Sequence, residues 1–393
     1  MARKTTLKTH TFTNKLILNQ WLMSQFGIDP LLEYKNNTRP FHKLAAPIKD
    51  AREEGYDADG LHKFYHSLVE SELFYNELHP LNKEQLLIYE ENIVSYTKTI
   101  NSMRSRPIVW KYFQWLTLLF VEIYLDRYFT DKGKLLDDLN TYIQRFNERW
   151  TGFQDIAPYT LDDLNKICLQ NATGSGKTLL MHVNLLQFRN YAKKSREGSE
   201  ISRVILLSPN ERLSEQHLEE LKLSGFSFAQ RLNTKQDSSI DMIDVIEITK
   251  LGDTEGPNTI ATRSLGDQNL LLVDEGHRGM SGKEEGVWFT RRSELCAKGF
   301  TFEYSATFAQ AVAAANNRAF EDSYAKAIIF DYSYRWFYED GFGKDYQILN
   351  LPKTYQQVQD VYLTACLLKY YQQLKIYEDK KLEIVPFNLE KPL

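Results

Sequence analysis

The chain has 393 residues and a formal net charge of −4, which excludes a protein coated all over with basic residues. A local basic track for nucleic acid remains compatible with this charge. Hydrophobic residues make up 42% and aromatic residues 13% of the sequence. This composition excludes a disordered chain and provides for a large core. At about 150 residues per domain, the length predicts two or three domains.

The cysteines and the apolar segments indicate the cellular compartment of the protein. Cys168, Cys296 and Cys366 lie far apart and form neither a metal-binding spacing nor a disulfide framework. We therefore expect a reducing compartment, the cytoplasm. No signal peptide is expected, because no apolar segment follows the basic N-terminal residues. The most apolar stretch, residues 108–125, is interrupted by charged residues, which favours a buried helix over a membrane span.

The first part of the chain is predicted to be mostly helical. Apolar residues recur at helical spacing in residues 16–26, 61–75, 86–96, 108–124 and 135–146. Prolines and an Asn-Asn pair predict loops between residues 28 and 58. His62 and His66 stand four residues apart, but no third ligand is evident. We expect ordinary, partly buried histidines there rather than a metal site.

A glycine-rich segment after an apolar run has the order of strand, turn and helix that a phosphate-binding P-loop needs. Its residues are Ala172, Thr173, Gly174, Ser175, Gly176, Lys177 and Thr178. The glycines allow a tight turn whose N–H groups face a phosphate, and the following helix adds free N–H donors. Lys177 is expected to reach the β- and γ-phosphates of ATP, and Thr178 to bind Mg²⁺. Asn171 replaces the glycine that usually opens the pattern, so an incidental glycine turn is the alternative.

A second segment carries acidic residues at the end of an apolar run. Residues 270–273 have the composition of a buried parallel strand, and Asp274, Glu275, Gly276 and His277 follow it. A carboxylate that ends a strand beside the P-loop strand suits a Mg²⁺ ligand, which predicts that role for Asp274. Glu275 is then placed to orient or deprotonate the attacking water.

From about residue 156, strands and helices alternate, which predicts an α/β fold with a parallel sheet. One apolar run, residues 204–207, ends in Ser208, Pro209 and Asn210, and the helix after it carries Arg212 and Gln216. These residues suit contact with the nucleic-acid backbone. An ordinary turn with a capped helix explains them equally well.

Two other stretches are open to two interpretations. Arg291 and Arg292 either border a nucleic-acid path or belong to a solvated charged face, and we favour the solvated face. The aromatic residues at 331–338 either pack between subdomains or stack on bases, and we favour packing. Residues 355–378 predict one more amphipathic helix.

Three of these segments resemble motifs of the superfamily 2 helicases and translocases. The P-loop is similar to motif I, Asp-Glu-Gly-His to motif II of the DEAH kind, and Ser305-Ala306-Thr307 to motif III. Residues 208–217 and 328–334 look most like helicase subunits of the type III restriction group and their defence-associated relatives. The resemblance covers about residues 155–390.

The resemblance implies a RecA-like domain that couples Mg²⁺-ATP hydrolysis to movement on DNA, with duplex DNA expected, in a restriction or phage-defence system. It implies that His277, Ser305 and Thr307 lie at the nucleotide. It also implies that Ser208, Asn210, Arg212 and Gln216 touch the DNA backbone, as motif Ia. No membrane partner is expected.

We therefore predict three parts in the chain. They are a helical domain at residues 1–155, a RecA-like ATP-binding domain at 156–350, and a helix and linker at 351–393 that lead towards a second RecA-like domain. Superfamily 2 enzymes close two such domains over one ATP, so a further domain or partner subunit is expected to complete the motor. A scaffold that is gated by nucleotide and binds DNA or protein without turnover is the alternative, against which Glu275 argues. The Ser-Ala-Thr sequence argues against a P-loop kinase.

Overall fold

The computed structural model of the chain describes residues 12–35, 39–74, 80–149, 155–195, 200–232, 240–278, 283–343 and 359–384. The chain divides into two compact units between Gly343 and Lys344. The first unit has the predicted fold class: a parallel β-sheet with helices on its faces, preceded in sequence by a helical segment.

The helical segment contains α1 (Ile17–Gln25), α2 (Pro30–Lys35), α3 (Pro40–Ala45), α4 (Lys63–Val69), α5 (Lys83–Asn101), α6 (Tyr112–Thr130) and α7 (Lys132–Arg149). The five predicted helical segments are confirmed, although α4 is shorter than its prediction. The prediction of loops at 28–58 is wrong for α2 and α3. Each of these helices begins at a proline, whose fixed φ suits the first helical position and whose missing N–H costs nothing there.

Seven strands form the main sheet: β1 (Lys166–Asn171), β2 (Arg203–Ser208), β3 (Ala229–Arg231), β4 (Ile243–Glu247), β7 (Asn269–Asp274), β8 (Phe300–Ser305) and β9 (Ile328–Tyr332). Every pairing is parallel, and the strand order is β3-β4-β2-β7-β8-β1-β9. Two short strands, β5 (Leu251–Gly252) and β6 (Ile260–Ala261), pair separately. The sequence did not predict β3, because its three half-buried residues at the sheet edge carry no apolar run.

The remaining helices follow the strands. In the first unit they are α8 (Lys177–Ala192), α9 (Glu211–Leu223), α10 (Lys283–Leu295), α11 (Phe308–Ala315), α12 (Arg318–Ala327) and α13 (Tyr334–Glu339). The second unit contains α14 (Gln359–Asp379) and α15 (Lys381–Ile384), and α14 matches the helix predicted at 355–378.

The helical segment shares one continuous core with one face of the sheet. Alternate strand residues such as Ile167 and Leu169 join apolar side chains of α1, α5, α6, α7 and α8 in this core. The opposite face is covered by smaller clusters around Leu295 and Phe308. The division predicted at residue 155 stays a prediction, and residues 12–149 and the sheet pack within the same compact unit.

Two expectations about apolar segments have clear outcomes. Helix α6 is buried along nearly its whole length, as predicted for residues 108–125. None of the described helices combines the length and the apolar character that a membrane crossing requires.

In the aromatic stretch, Tyr332 stacks on Phe113 of α6 with ring centroids 4.1 Å apart, and Phe337 packs against both rings. These contacts agree with the packing interpretation.

Candidate nucleotide-binding site

The order of the strands brings the predicted motifs to one edge of the sheet. Strand β8 lies between β1 and β7, and all three are parallel. Their carboxyl ends therefore meet: β1 leads into the P-loop, β7 into motif II, and β8 into motif III. The carboxyl edge of a parallel sheet is where ligands of this fold class bind.

The P-loop has the backbone that the glycines predict. Gly174 and Gly176 have φ values of 85° and 88°, in the left-handed region that glycine adopts without strain. Helix α8 starts immediately afterwards, at Lys177. The N–H of Ala172 donates to the carbonyl of Tyr332 in β9 at 2.9 Å, and the N–H of Ser175 donates to the carbonyl of Ala172 at 3.1 Å. Thr173 and Gly174 are exposed at the tip of the turn.

Lys177 lies close to the acidic residues of motif II. Burial lowers the pKa of the Lys177 ammonium, while the negative charges of Glu275 and Asp274 oppose this change. Its Nζ donates to the backbone carbonyl of Asn171 at 3.3 Å. The Asn171 side chain is fully buried, and neither of its polar atoms has a hydrogen-bond partner among the described residues. The departure from the usual glycine thus places an amide directly at the base of the loop.

Asp274 is held in a defined orientation at the end of β7. Nε2 of His217, on α9, lies 3.0 Å from its Oδ2, and the N–H of Glu275 donates to its Oδ1 at 3.0 Å. Burial opposes ionisation of this carboxyl, but the hydrogen bond and charge of His217, together with Lys177, hold its pKa below the ordinary value. Asp274 is therefore an ionised carboxylate, fixed by a histidine that the sequence analysis did not identify.

A Mg²⁺ site at this edge would draw on Asp274 and Thr178. A carboxylate and a hydroxyl are the hard oxygen donors that Mg²⁺ prefers, and Mg²⁺ is commonly held by one or two carboxylates together with substrate phosphates. Thr178 lies half-buried in the first turn of α8. Within the described ranges, no group of three or more His, Cys, Asp or Glu side chains could hold a metal by itself. The donor set fits an ion that is shared with a nucleotide.

Glu275 has an unusual backbone conformation. Its φ of 53° lies in the left-handed region, which a side chain with a Cβ rarely adopts and which often marks functional sites. Nδ1 of His277 lies 3.2 Å from the Glu275 carboxylate and 2.8 Å from Oγ of Ser305. The N–H of Thr307 donates to the same Ser305 oxygen at 3.0 Å. Motifs II and III are thus joined by a direct hydrogen bond between His277 and Ser305.

Arg292 supports the motif II turn, contrary to the prediction of a solvated charged face. Its side chain is 4% exposed and donates to the backbone carbonyls of Gly276 and Arg278 at 2.9 and 3.1 Å. The Glu303 carboxylate lies 3.7 Å away and balances the charge. Arg291 is also engaged, because it donates to the carbonyl of Leu251. Trp288, Arg292 and Cys296 recur at four-residue spacing, which was the available sign that Arg292 shares a buried helix face.

The predicted motif Ia residues divide into two groups. The Oδ1 of Asn210 accepts from the N–H of Leu213 at 3.0 Å and caps α9, while Ser208 is buried with its Oγ 2.5 Å from that of Ser214. Both side chains therefore have structural partners. Arg212 and Gln216 are exposed on α9. A small cleft places Ser208 and Pro209 beside Asp274 and Glu275, so this turn adjoins motif II.

His62 and His66 in the helical segment do not form a shared site. Nδ1 of His62 is 2.7 Å from Glu90, and both side chains are buried. Nε2 of His66 lies instead 2.9 Å from Asp59 near the surface. This agrees with the expectation of ordinary histidines.

The comparison with known families locates a domain around this site. Residues 135–310 match the family model for "Type III restriction enzyme, res subunit". The matched region begins within α7, includes β1 to β8, and ends in α11, so it contains the P-loop and motifs Ia, II and III. No curated protein matches the chain. The match confirms the resemblance: residues 135–310 carry a domain of the type III restriction enzyme Res-subunit family, which is related to the superfamily 2 helicases.

Proposed function

We propose that this protein binds Mg²⁺-ATP at the carboxyl edge of its sheet, hydrolyses it, and uses the energy to move on duplex DNA. The observation that carries the proposal is the meeting of Lys177, Asp274 and Glu275, three groups with different roles in phosphoryl transfer. The family match of residues 135–310 to a helicase family supports the same activity.

Each residue of the site has a distinct task in this proposal. The P-loop N–H groups and the Lys177 ammonium bind the phosphates. Mg²⁺, held by Thr178 and Asp274, would neutralise phosphate charge when bound. Glu275 orients the attacking water and accepts its proton, since a carboxylate within reach of water can act as a general base. His277 and Ser305 link the position of Glu275 to motif III.

The nucleic-acid contacts are proposed on the α9 side of the site. Arg212 and Gln216 are exposed and lie on the helix that also carries His217, whose ring contacts Asp274. Their side chains are free to reach a DNA backbone, whereas Ser208 and Asn210 shape the turn. We propose a restriction or phage-defence role in the cytoplasm, which the family match and the free cysteines support.

A second RecA-like domain is part of the proposed motor. The described residues form one sheet of this kind, and superfamily 2 enzymes close two such domains over one ATP. Arginines from the second domain stabilise the transferred phosphoryl group and are typically worth about 10³–10⁵ in rate. We therefore expect a second RecA-like domain that contributes such an arginine to accelerate hydrolysis at this site.

A nucleotide-gated scaffold is the second candidate. It is favoured by the contact of the Glu275 carboxylate with His277, which engages the proposed base. The two functions differ in turnover, since a scaffold binds ATP and does not release phosphate.

The test is phosphate release from Mg²⁺-ATP by the present chain, with and without duplex DNA, alongside displacement of a triplex-forming strand. Turnover that duplex DNA stimulates and that Glu275→Gln abolishes supports the motor, and triplex displacement would extend it to translocation. ATP binding without any turnover would support the scaffold instead. Equal turnover in the wild type and Glu275→Gln would contradict the proposed chemistry.

A further inference from the structure

A side chain of the helical segment reaches the P-loop directly. Nε2 of Gln114, in the first turn of α6, donates to the backbone carbonyl of Ser175 at 2.8 Å, across 61 residues of sequence. The approach is so close that a Cβ placed on Gly176 would lie 2.5 Å from the same nitrogen. Gly176 therefore serves two purposes, since it adopts a positive φ and makes room for Gln114.

The orientation of the Gln114 amide is fixed from its other end. Its Oε1 accepts from the backbone N–H of Lys111, the residue before α6, at 2.9 Å. A carbonyl oxygen must accept and an amide nitrogen must donate, so the two bonds permit one orientation of the amide. Lys111 is anchored in turn, because its ammonium contacts the Glu54 carboxylate at 2.7 and 2.9 Å.

The same end of α6 also supports the other end of the P-loop. Ala172 donates its N–H to the carbonyl of Tyr332, whose ring stacks on Phe113. The hydroxyls of Tyr332 and Tyr112 both donate to the carboxylate of Asp340. Phe113 thus supports the partner of Ala172, and the next residue, Gln114, holds Ser175 directly. Both contacts limit how far the loop can move as a whole.

The contact with Ser175 has a consequence for phosphate binding. In a planar trans peptide, the carbonyl of one residue and the N–H of the next point in opposite directions. Because Gln114 holds the Ser175 carbonyl on the α6 side, the N–H of Gly176 is directed to the opposite side. Phosphate binding by a glycine-rich loop depends on such N–H groups being presented together.

We propose that Gln114 is a positioning residue for the P-loop, through which the helical segment controls nucleotide affinity. This inference rests on the proposed ATP-binding function. Gln114 acts on the ligand through the Ser175–Gly176 peptide, so its effect is on the binding of the phosphates of ATP and ADP. The helical segment thereby has a role in nucleotide affinity, which its own sequence does not indicate.

The experiment compares Gln114→Met with Gln85→Met in the full chain. Gln85 occupies the same third position in α5 that Gln114 occupies in α6, and its Oε1 likewise accepts from the N–H of the residue before the helix, Asn82. Both substitutions remove one helix-capping hydrogen bond and keep side-chain size, but only Gln114 contacts the P-loop. The measurements are dissociation constants for fluorescent ATP and ADP analogues, competition by pyrophosphate, and the thermal unfolding midpoint.

The expected result is that Gln114→Met weakens ATP, ADP and pyrophosphate binding about three- to tenfold, the range for one hydrogen bond. Gln85→Met is expected to keep wild-type affinity. The thermal unfolding midpoints of Gln85→Met and Gln114→Met are expected to fall by similar amounts. Wild-type affinity in Gln114→Met, or an equal loss in Gln85→Met, would overturn the proposal. Lys177→Ala is the third variant: if it also binds normally, the proposed function itself fails, whereas a loss in Lys177→Ala alone refutes only the role of Gln114.

Discussion

Two histidine–glutamate pairs in different regions of the molecule differ in how far they are exposed to solvent. In the helical segment, His62 and Glu90 lie 2.7 Å apart, and their side chains are 2% and 0% exposed. At the carboxyl edge of the sheet, His277 and Glu275 lie 3.2 Å apart, and each side chain is 29% exposed. The residue types are the same, but a ligand can reach only the pair at the sheet edge.

The buried pair has its partners within the protein. Glu90 accepts from the backbone N–H of His62 and from Nε1 of Trp115, and Tyr56 lies over the His62 ring with centroids 4.4 Å apart. A group enclosed in this way stabilises the fold. The half-buried pair lies beside Asp274 and Lys177, with Glu275 on a backbone of positive φ, so it can meet water and phosphate. The comparison teaches that accessibility at the sheet edge, more than residue type, distinguishes the pair for which we propose a role in hydrolysis.

The largest expected effect is on stability, from Glu90→Ala. Removing one partner of a buried pair leaves His62 and Trp115 without their acceptor and typically costs about 3–5 kcal/mol. Chemical denaturation monitored by fluorescence measures this free energy of unfolding. Glu339→Ala is the control, because Glu339 pairs with Arg335 on the surface and is expected to change stability by less than about 1 kcal/mol. A loss as small as that of the control would show that the buried pair is not a structural device.

The next effect concerns turnover at the half-buried pair of Glu275 and His277. Glu275→Gln is expected to slow hydrolysis by about 10²-fold or more, since the amide cannot accept a proton, while ATP binding and stability are kept. Asp274→Asn is the matched comparison, because it should weaken the Mg²⁺-dependent part of ATP binding. Single-turnover phosphate release and nucleotide titrations with and without Mg²⁺ separate the two. Identical effects of both substitutions on rate and binding would mean that the assigned roles are wrong.

A smaller expected effect is a pH dependence of the free energy of unfolding, caused by the buried Glu122. Burial raises the pKa of Glu122 in α6 from 4.5 to about 7, although Tyr191 and Asn92 donate hydrogen bonds to it. Because the folded protein then holds this proton more tightly than the unfolded chain, the contribution to stability is complete below pH 4.5. It is lost as the pH rises through about 7.

Glu122→Gln should therefore reduce the decline of stability between pH 4.5 and 7, and should increase stability at pH 8 by about 1–3 kcal/mol. Denaturation curves of the wild type and the variant at several pH values measure the difference. Parallel stability profiles across this range would contradict the assignment.

Much of the sheet and its motifs could be predicted from the sequence. Strand β7 and Asp274 were found because an apolar run and a terminal carboxylate are local signals, and parallel topology then places them beside Lys177. The contacts of His217, Arg292 and Gln114 could not be predicted, because each joins residues that are distant in sequence and local spacing does not reveal the partner. For Arg292 the four-residue spacing with Trp288 and Cys296 did indicate a buried helix face, but nothing local indicated its partners at Gly276 and Arg278.

The most direct test of the account is calorimetric titration of the full chain with Mg²⁺-ATP, for the wild type and Lys177→Ala. One charge-assisted contact with a phosphate is worth about 1.5–3 kcal/mol, so the variant should lose about tenfold to hundredfold in affinity. Thermal unfolding of both proteins provides the control for folding. Binding at one site in the wild type with this loss in Lys177→Ala is the predicted result, and unchanged binding in a folded Lys177→Ala protein would contradict the nucleotide site.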